Sequence, residues 1–197
     1  RIKQLQEISP DNEEMHSAIG YAGKLNDYWL NLLDQIHSFT RNNGIDPVSP
    51  LQPEQCCISP SDFGFHNALK VNDGGVCFLD FEYAGWDDPC KMVGDFFAQI
   101  AIPVPERFFD SFVQKTMSQF PMPEELILRA AILRPVYQVK WCCIALNVFL
   151  PQHLERRKFA NEQVNVSELL HSQLKKVDNM MKSLKPFHIG FYYYERE

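Results

Sequence analysis

The sequence predicts an α+β domain in which helices dominate and a single β-hairpin carries the polar residues of interest. Two observations indicate this class. Apolar residues recur at spacings of three and four in four or five segments, which is the period of amphipathic helices. One short segment, residues 68–81, instead has two apolar runs joined by Asn-Asp-Gly-Gly, a strong hairpin signal. Since an isolated hairpin is not stable in water, we expect it to pack on the helical body.

The chain before the hairpin is predicted to form one long helix and a loop. The helix begins near Ser9-Pro10-Asp11, where acidic residues face the positive end of the helix dipole, and ends near Asn42-Asn43-Gly44. Residues 44–53 are rich in proline and have no period, so they form a loop. Residues 55–58 are a short apolar run typical of a strand. The apolar face of the helix consists of Ile19, Ala22, Leu25, Trp29, Leu32, Leu33, Ile36 and Phe39.

Four helices are predicted after the hairpin. The third is apolar on nearly all sides in its second half, so we expect a buried central helix that Pro135 bends or splits in two. The segment after Pro151 is basic, and the aromatic tail from Pro186 either packs on the domain or is a poorly ordered terminus. The four helices are expected from residue 87, from residue 105, from 124 to about 149, and from about 166 to 184.

Composition limits the classes of function. The 197 residues are 45% hydrophobic, enough for one good-sized domain. A net charge of -6 and a pI near 5.5 argue against a nucleic-acid partner or an anionic membrane surface, and no apolar run is long enough to span a membrane. No secretory signal is visible, and the six cysteines match neither a zinc site nor a redox motif. We therefore expect reduced thiols in a cytoplasmic protein.

Three polar side chains flank the predicted hairpin. Asp62 and Asn67 lie just before its first strand, and Asp80 closes its second, so a short hairpin brings them to the same end. A carboxylate on a loop, such as Asp62, can accept a proton from a substrate hydroxyl. Asn67 and Asp80 offer hard oxygen ligands suited to Mg²⁺ and phosphate. Taken singly, each residue is better explained by capping or stabilising a loop, and it is their joint placement on either side of one hairpin that favours a site.

The segment Pro60 to Asn67, reading PSDFGFHN, resembles the catalytic loop of the aminoglycoside phosphotransferase and choline kinase families, whose pattern is H-x-D-x-x-x-x-N. Asp62 and Asn67 match it at the right separation, and Asp80 in LDFEYAGWDDP matches the families' metal-binding aspartate. The resemblance covers about residues 56–160. It implies that residues 1–197 form the C-terminal lobe of a protein-kinase-like fold.

By this resemblance, the protein is a phosphotransferase that moves the γ-phosphate of ATP to a hydroxyl of a small molecule. Asp62 would orient or deprotonate that hydroxyl, while Asn67 and Asp80 would hold Mg²⁺ against the ATP phosphates. The acceptor is expected to be an aminoglycoside, a choline-like compound or a sugar-like compound. Trp86 and the acidic Glu82 are candidates for contacts with a cationic acceptor.

The chain departs from the family pattern at two points. Pro60 replaces the motif histidine and offers no side-chain hydrogen bond, while His66 either substitutes for that histidine or packs at the strand start. No segment resembles the nucleotide-binding N-lobe, with its glycine-rich loop and strand lysine. We therefore expect either that lobe upstream of Arg1 or a degenerate or fragmentary relative, and the segment alone should bind ATP poorly.

Two other readings of the chain remain open. One is a kinase-like binding or scaffold module that is catalytically weak or inactive. The other is a plain helical interaction domain, which predicts that Asp62, Asn67 and Asp80 lie far apart in the fold.

Overall fold

A computed structural model describes residues 1–72 and 74–189. The described part is an α+β structure, mostly helical, which confirms the predicted class. Its strands are β1 (Cys57–Ser59), β2 (Ala68–Lys70), β3 (Val76–Phe78) and β4 (Gly85–Asp87). Its helices are α1 (Ile2–Gln6), α2 (Glu13–Asn42), α3 (Pro89–Ala98), α4 (Phe109–Met117), α5 (Pro123–Leu146), α6 (Pro151–Ala160) and α7 (Val166–Ser183).

The strands form two small antiparallel sheets. The predicted hairpin is present as β2 and β3, with Ala68 opposite Phe78 and Lys70 opposite Val76. Its turn uses Gly74 at a φ of 85°, a conformation that glycine adopts without strain, and the Gly74 N–H donates to the Val71 carbonyl at 3.0 Å. Both strands are shorter than predicted. The second cannot run to residue 81, because Asp80 has a φ of 62° and so leaves the extended conformation.

The second sheet pairs β1 with β4, and the sequence did not predict it. Ser59 lies opposite Gly85 and Cys57 opposite Asp87. Gly-Trp-Asp carries no apolar alternation, and the sequence predicts the start of a helix at Asp87. The structure corrects this boundary: Asp87 ends β4, while Asp88 caps α3 by accepting the Cys90 N–H at 2.7 Å.

The chain divides into two compact units. The first consists of Arg1–Ser38 and Val139–Pro186. Within it, the Tyr21 hydroxyl donates to Asp178 Oδ1 and the Tyr28 hydroxyl donates to the Lys185 carbonyl, both at 2.8 Å. Its core is the set of buried apolar side chains that includes Leu5, Ala18, Ala22, Leu25, Leu32, Cys142, Leu146, Leu170 and Val177.

The second unit consists of Phe39–Gln138 together with residues 187–189 of the described tail. It contains both sheets, α3, α4 and the first part of α5. The predicted tail beyond residue 189 lies outside the described residues. The core of this unit is formed by Cys90, Val93, Phe109, Val113, Met117, Leu126 and Ala130.

All five predicted helices are present, as α2, α3, α4, α5 and α7. Helix α2 ends at Asn42 as expected, and α5 continues through Pro135 to Leu146, so the proline does not split it. Helices α1 and α6 were not predicted. Helix α6 has no buried residue, so it lacks the apolar face by which sequence periodicity finds helices.

All six cysteines lie in the described part and are free thiols. Burial raises the pKa of the Cys142 thiol to about 12, and burial likewise raises the pKa of Cys90. Cys77 is exposed.

In the part of the chain that the structure describes, no helix combines the length and apolar character needed to cross a membrane.

Candidate functional site

Asp62 lies at the end of a tight turn that directly follows β1. Its backbone N–H donates to the Pro60 carbonyl at 2.7 Å, across Ser61, which has a φ of 65°. A bond between residues two apart, around a non-glycine residue with positive φ, indicates a strained three-residue turn. We call residues 60–62 the Asp62 turn. Strained backbone of this kind occurs preferentially at functional sites, and here it presents a carboxylate that is 54% exposed.

Asn67 is joined to the Asp62 turn by its side chain. The Asn67 carboxamide N–H donates to the Asp62 carbonyl at 3.0 Å. Its backbone carbonyl accepts the Leu79 N–H at 2.8 Å, which continues the β2–β3 pairing by one more hydrogen bond. That bond places Leu79 opposite Asn67, and Asp80 follows Leu79 directly at the open end of the hairpin.

Asp80 is exposed and makes no hydrogen bond or ion pair with any other residue in the described ranges. Aspartate tolerates its positive φ of 62° better than most residues. Hydrogen bonds therefore link Asp62 to Asn67 and Asn67 to the residue before Asp80. The expectation from a plain helical domain, that the three lie far apart, is wrong.

His66 also approaches the Asp62 carboxylate. Its Nε2 lies 3.2 Å from Asp62 Oδ1, and its side chain is only 18% exposed. The sequence left open whether His66 substitutes for the motif histidine or packs at the strand start, and the structure shows its imidazole in contact with the Asp62 carboxylate.

Lys91 is a residue of this site that the sequence reasoning missed. Its ammonium donates to the Ser61 carbonyl at 3.2 Å and pairs with Asp87 at 2.6 Å and with Asp95 at 3.5 Å. Burial lowers the pKa of Lys91, but the hydrogen bond to Asp87 and the charges of Asp87 and Asp95 outweigh it, so that the pKa is raised. The spacing of Asp87, Lys91 and Asp95 at intervals of four was the available signal.

Aromatic contacts fix the loop and the hairpin to the helices of the second unit. The Phe63 ring lies between Phe78 of β3, at 4.6 Å, and Phe96 of α3, at 5.0 Å between centroids. The Phe65 ring contacts the same two partners, at 6.2 and 5.1 Å. Such pairs add about 0.5–1.5 kcal/mol each beyond the area they bury. The hairpin is thus connected to α3 through the two loop rings, Phe63 and Phe65.

The segment after Asp80 exposes large aromatic side chains. Phe81, Tyr83 and Trp86 are all more than half exposed, with Trp86 at 75%. Asp88, by contrast, forms an ion pair with Arg129 at 2.7 Å while capping α3, as expected of a carboxylate at a helix start. Trp141 of α5, in contrast to Trp86, is buried.

Within residues 1–72 and 74–189, no group of three or more His, Cys, Asp and Glu side chains is arranged to hold a metal ion. Of Asn67 and Asp80, only Asp80 is one of these four residue types.

Comparisons with protein-family models, with curated proteins and with solved structures found no match to this chain. Function is therefore inferred from the residues and their geometry.

Proposed function

We propose that this chain is the acceptor- and metal-binding lobe of an ATP-dependent small-molecule phosphotransferase with a protein-kinase-like fold. The observation that supports it best is the Asp62 turn, which hydrogen bonds tie to Asn67 and, through Leu79, to the position of Asp80. Loop capping accounts for each of these residues singly. It does not account for positive φ at both Ser61 and Asp80, on either side of one hairpin.

In the proposed reaction Asp62 accepts the hydrogen bond of the acceptor hydroxyl and takes its proton as the phosphoryl group is transferred. Its Oδ1 is in contact with His66, which leaves Oδ2 for the substrate. The Asp62 side chain is 54% exposed, so a small molecule can reach its carboxylate from solvent. Positioning of the hydroxyl is the main contribution, because phosphoryl transfer needs little covalent assistance from the protein.

The donor set at the end of the hairpin fits Mg²⁺. The Asn67 amide nitrogen is committed to the Asp62 carbonyl, so its Oδ1 is the atom that remains for a cation. Asp80 adds a charged oxygen that is engaged by no other described residue. Two protein oxygens are typical for Mg²⁺, which takes its remaining ligands from phosphate and water. When bound, Mg²⁺ supplies neutralisation of the phosphate charge.

The exposed aromatic side chains favour a cationic acceptor. Phe81, Tyr83 and Trp86 are more than half exposed, and Glu82, which stands between the first two in the sequence, is exposed as well. Aromatic faces and a carboxylate attract an ammonium group, whereas a neutral sugar gains nothing from the charge. We therefore expect amino alcohols, including choline-like compounds, to be better substrates than neutral sugars.

A second candidate is a kinase-like binding module with little or no activity. The observation that favours it is Pro60, which stands where the family has its loop histidine, together with the absence of a glycine-rich phosphate loop from these 197 residues. This candidate predicts metal or nucleotide binding without turnover.

The two candidates are separated by measuring binding and transfer on the full chain. Mn²⁺ serves as a paramagnetic probe for the Mg²⁺ site, and we expect it to broaden the amide signals of residues 67 and 80 first. Asp80→Ala should abolish this broadening, while Asp27→Ala, which removes an exposed carboxylate of α2, should not.

Phosphoryl transfer from ATP is then assayed with choline, ethanolamine, an aminoglycoside and a neutral sugar. Asp62→Ala should lower kcat about a hundredfold or more while the fold is retained. Broadening without transfer to any acceptor would favour the binding module. Neither broadening nor transfer would contradict both candidates.

A further inference from the structure

We infer that His66 is a positioning residue for Asp62, and that it replaces the side-chain support that Pro60 cannot give. The inference rests on the proposed function, in which Asp62 receives the acceptor proton. Pro60 is buried and has neither a side-chain donor nor a backbone N–H. The side chain that reaches the Asp62 carboxylate comes from the other end of the loop.

The geometry is that of a hydrogen bond from an imidazole to a carboxylate. His66 Nε2 lies 3.2 Å from Asp62 Oδ1. The imidazole is mostly buried, whereas the carboxylate is about half exposed. A mostly buried donor therefore holds Oδ1 of a carboxylate that is about half exposed, which limits the directions in which Asp62 is presented.

The backbone around His66 is also fixed. His66 lies in the 3₁₀ turn Phe65–Asn67, whose last N–H donates to the Gly64 carbonyl at 3.0 Å. From the same turn, the Asn67 side chain donates to the Asp62 carbonyl. One short turn thus supports Asp62 at two points, its carboxylate through His66 and its carbonyl through Asn67.

Gly64 leaves the space that the imidazole occupies. A Cβ at residue 64 would lie 2.5 Å from His66 Nδ1 and 2.6 Å from Cε1, and 3.1 Å from Gln99 Cγ. The backbone of Gly64, with a φ of 177°, is extended and does not itself require glycine. The missing side chain matters here because the His66 ring folds back over residue 64. Simple packing of a histidine does not require its Nε2 to face the carboxylate.

The effect expected of this contact is on kcat. Without the hydrogen bond, Asp62 is free to rotate and spends less time directed at the acceptor hydroxyl. A hydrogen bond to a charged group is large enough for a loss of about ten- to a hundredfold in kcat. The KM for ATP should change little, because His66 does not belong to the proposed metal pair.

The kinetic test compares two substitutions in the full chain. His66→Leu removes the donor and should lower kcat by about ten- to a hundredfold, whereas His66→Gln keeps an N–H near Asp62 and should recover most of it. Circular dichroism and urea midpoints establish that both variants are folded. If His66→Gln loses as much kcat as His66→Leu while folded, or if neither loses kcat, the inference is wrong.

A spectroscopic test does not depend on turnover. Long-range ¹H–¹⁵N NMR of the neutral His66 ring should show the proton on Nε2, and Asp62→Ala should shift the ring to a mixture of tautomers. A proton on Nδ1, or an unchanged tautomer in Asp62→Ala, would overturn the inference. If no acceptor is phosphorylated but Nε2 carries an Asp62-dependent proton, the proposed function fails while the contact between His66 and Asp62 stands.

Discussion

Gly94→Ala probes the packing that holds helix α3 in place beneath the Asp62 turn. A Cβ on residue 94 would lie 2.3 Å from Tyr137 Cδ2, 2.6 Å from Cγ and 3.0 Å from Cε2. Cγ is the fixed end of the tyrosine ring, so a rotation of the ring alone does not relieve the contact, and α3 or α5 must shift. Overpacking of this kind costs about 1–3 kcal/mol, and so close a contact belongs near the upper end.

Part of that cost is offset because alanine is the better helix former. The gain of alanine over glycine inside a helix is about 1 kcal/mol, which leaves a net loss near 2 kcal/mol for Gly94→Ala. Gly20→Ala is the matched control, since Gly20 lies inside α2 and a Cβ there meets nothing within 4 Å. That control should gain about 1 kcal/mol.

Equilibrium urea unfolding of wild type and both variants measures these differences, provided that the m-value is unchanged. In a Tyr137→Ala background the ring is absent, so Gly94→Ala should cost nothing or stabilise slightly. The reasoning is refuted if Gly94→Ala is as stable as Gly20→Ala, or if its cost is the same with and without the Tyr137 ring.

Two further perturbations test the ionic contacts of α3. Lys91→Met should lower the free energy of unfolding by about 1–3 kcal/mol, because it removes the ion pair of the buried Asp95. Folding raises the pKa of Lys91. The stabilisation that its charge gives the fold is therefore complete at pH values below the ordinary pKa of lysine, and it is lost as the pH rises through the pKa of Lys91 in the folded protein. Wild type and variant should therefore converge in alkaline urea titrations, and a constant gap would contradict this. Asp88→Ala removes the cap on Cys90 and the pair with Arg129 and should cost about 2 kcal/mol, of which Asp88→Asn recovers about half in the same assay.

The features that the sequence predicted well are those encoded locally. Helix α2 has acidic residues at its start and a regular apolar face, and both of its ends lie within two residues or so of the prediction. The hairpin follows from its turn, where Gly74 takes the positive φ that the Asn-Asp-Gly-Gly pattern anticipates. The separation of Asp62 and Asn67 was also visible, since it lies within one short loop.

The features that escaped prediction depend on contacts between distant residues. Strand β4 exists because it pairs with β1, more than twenty residues earlier, and Gly-Trp-Asp alone gives no sign of it. Helix α6 has no buried face to produce a period. The contact of Lys91 with the Ser61 carbonyl is invisible for the same reason, because only the packing of α3 near the loop brings the two together.

The supports of the Asp62 turn come from different parts of the second unit, and this bears on how its strain is maintained. Conformations such as Ser61 at positive φ cost about 1–3 kcal/mol and persist only where the surroundings over-determine them. Here His66 contacts the carboxylate, Asn67 donates to the carbonyl of the same residue, and Lys91 of α3 donates to the Ser61 carbonyl. A loop that only connected β1 to the hairpin would relax to an unstrained turn at no loss. Instead, three side chains hold the turn in its strained conformation. This is the strongest physical reason to propose a functional role for Asp62.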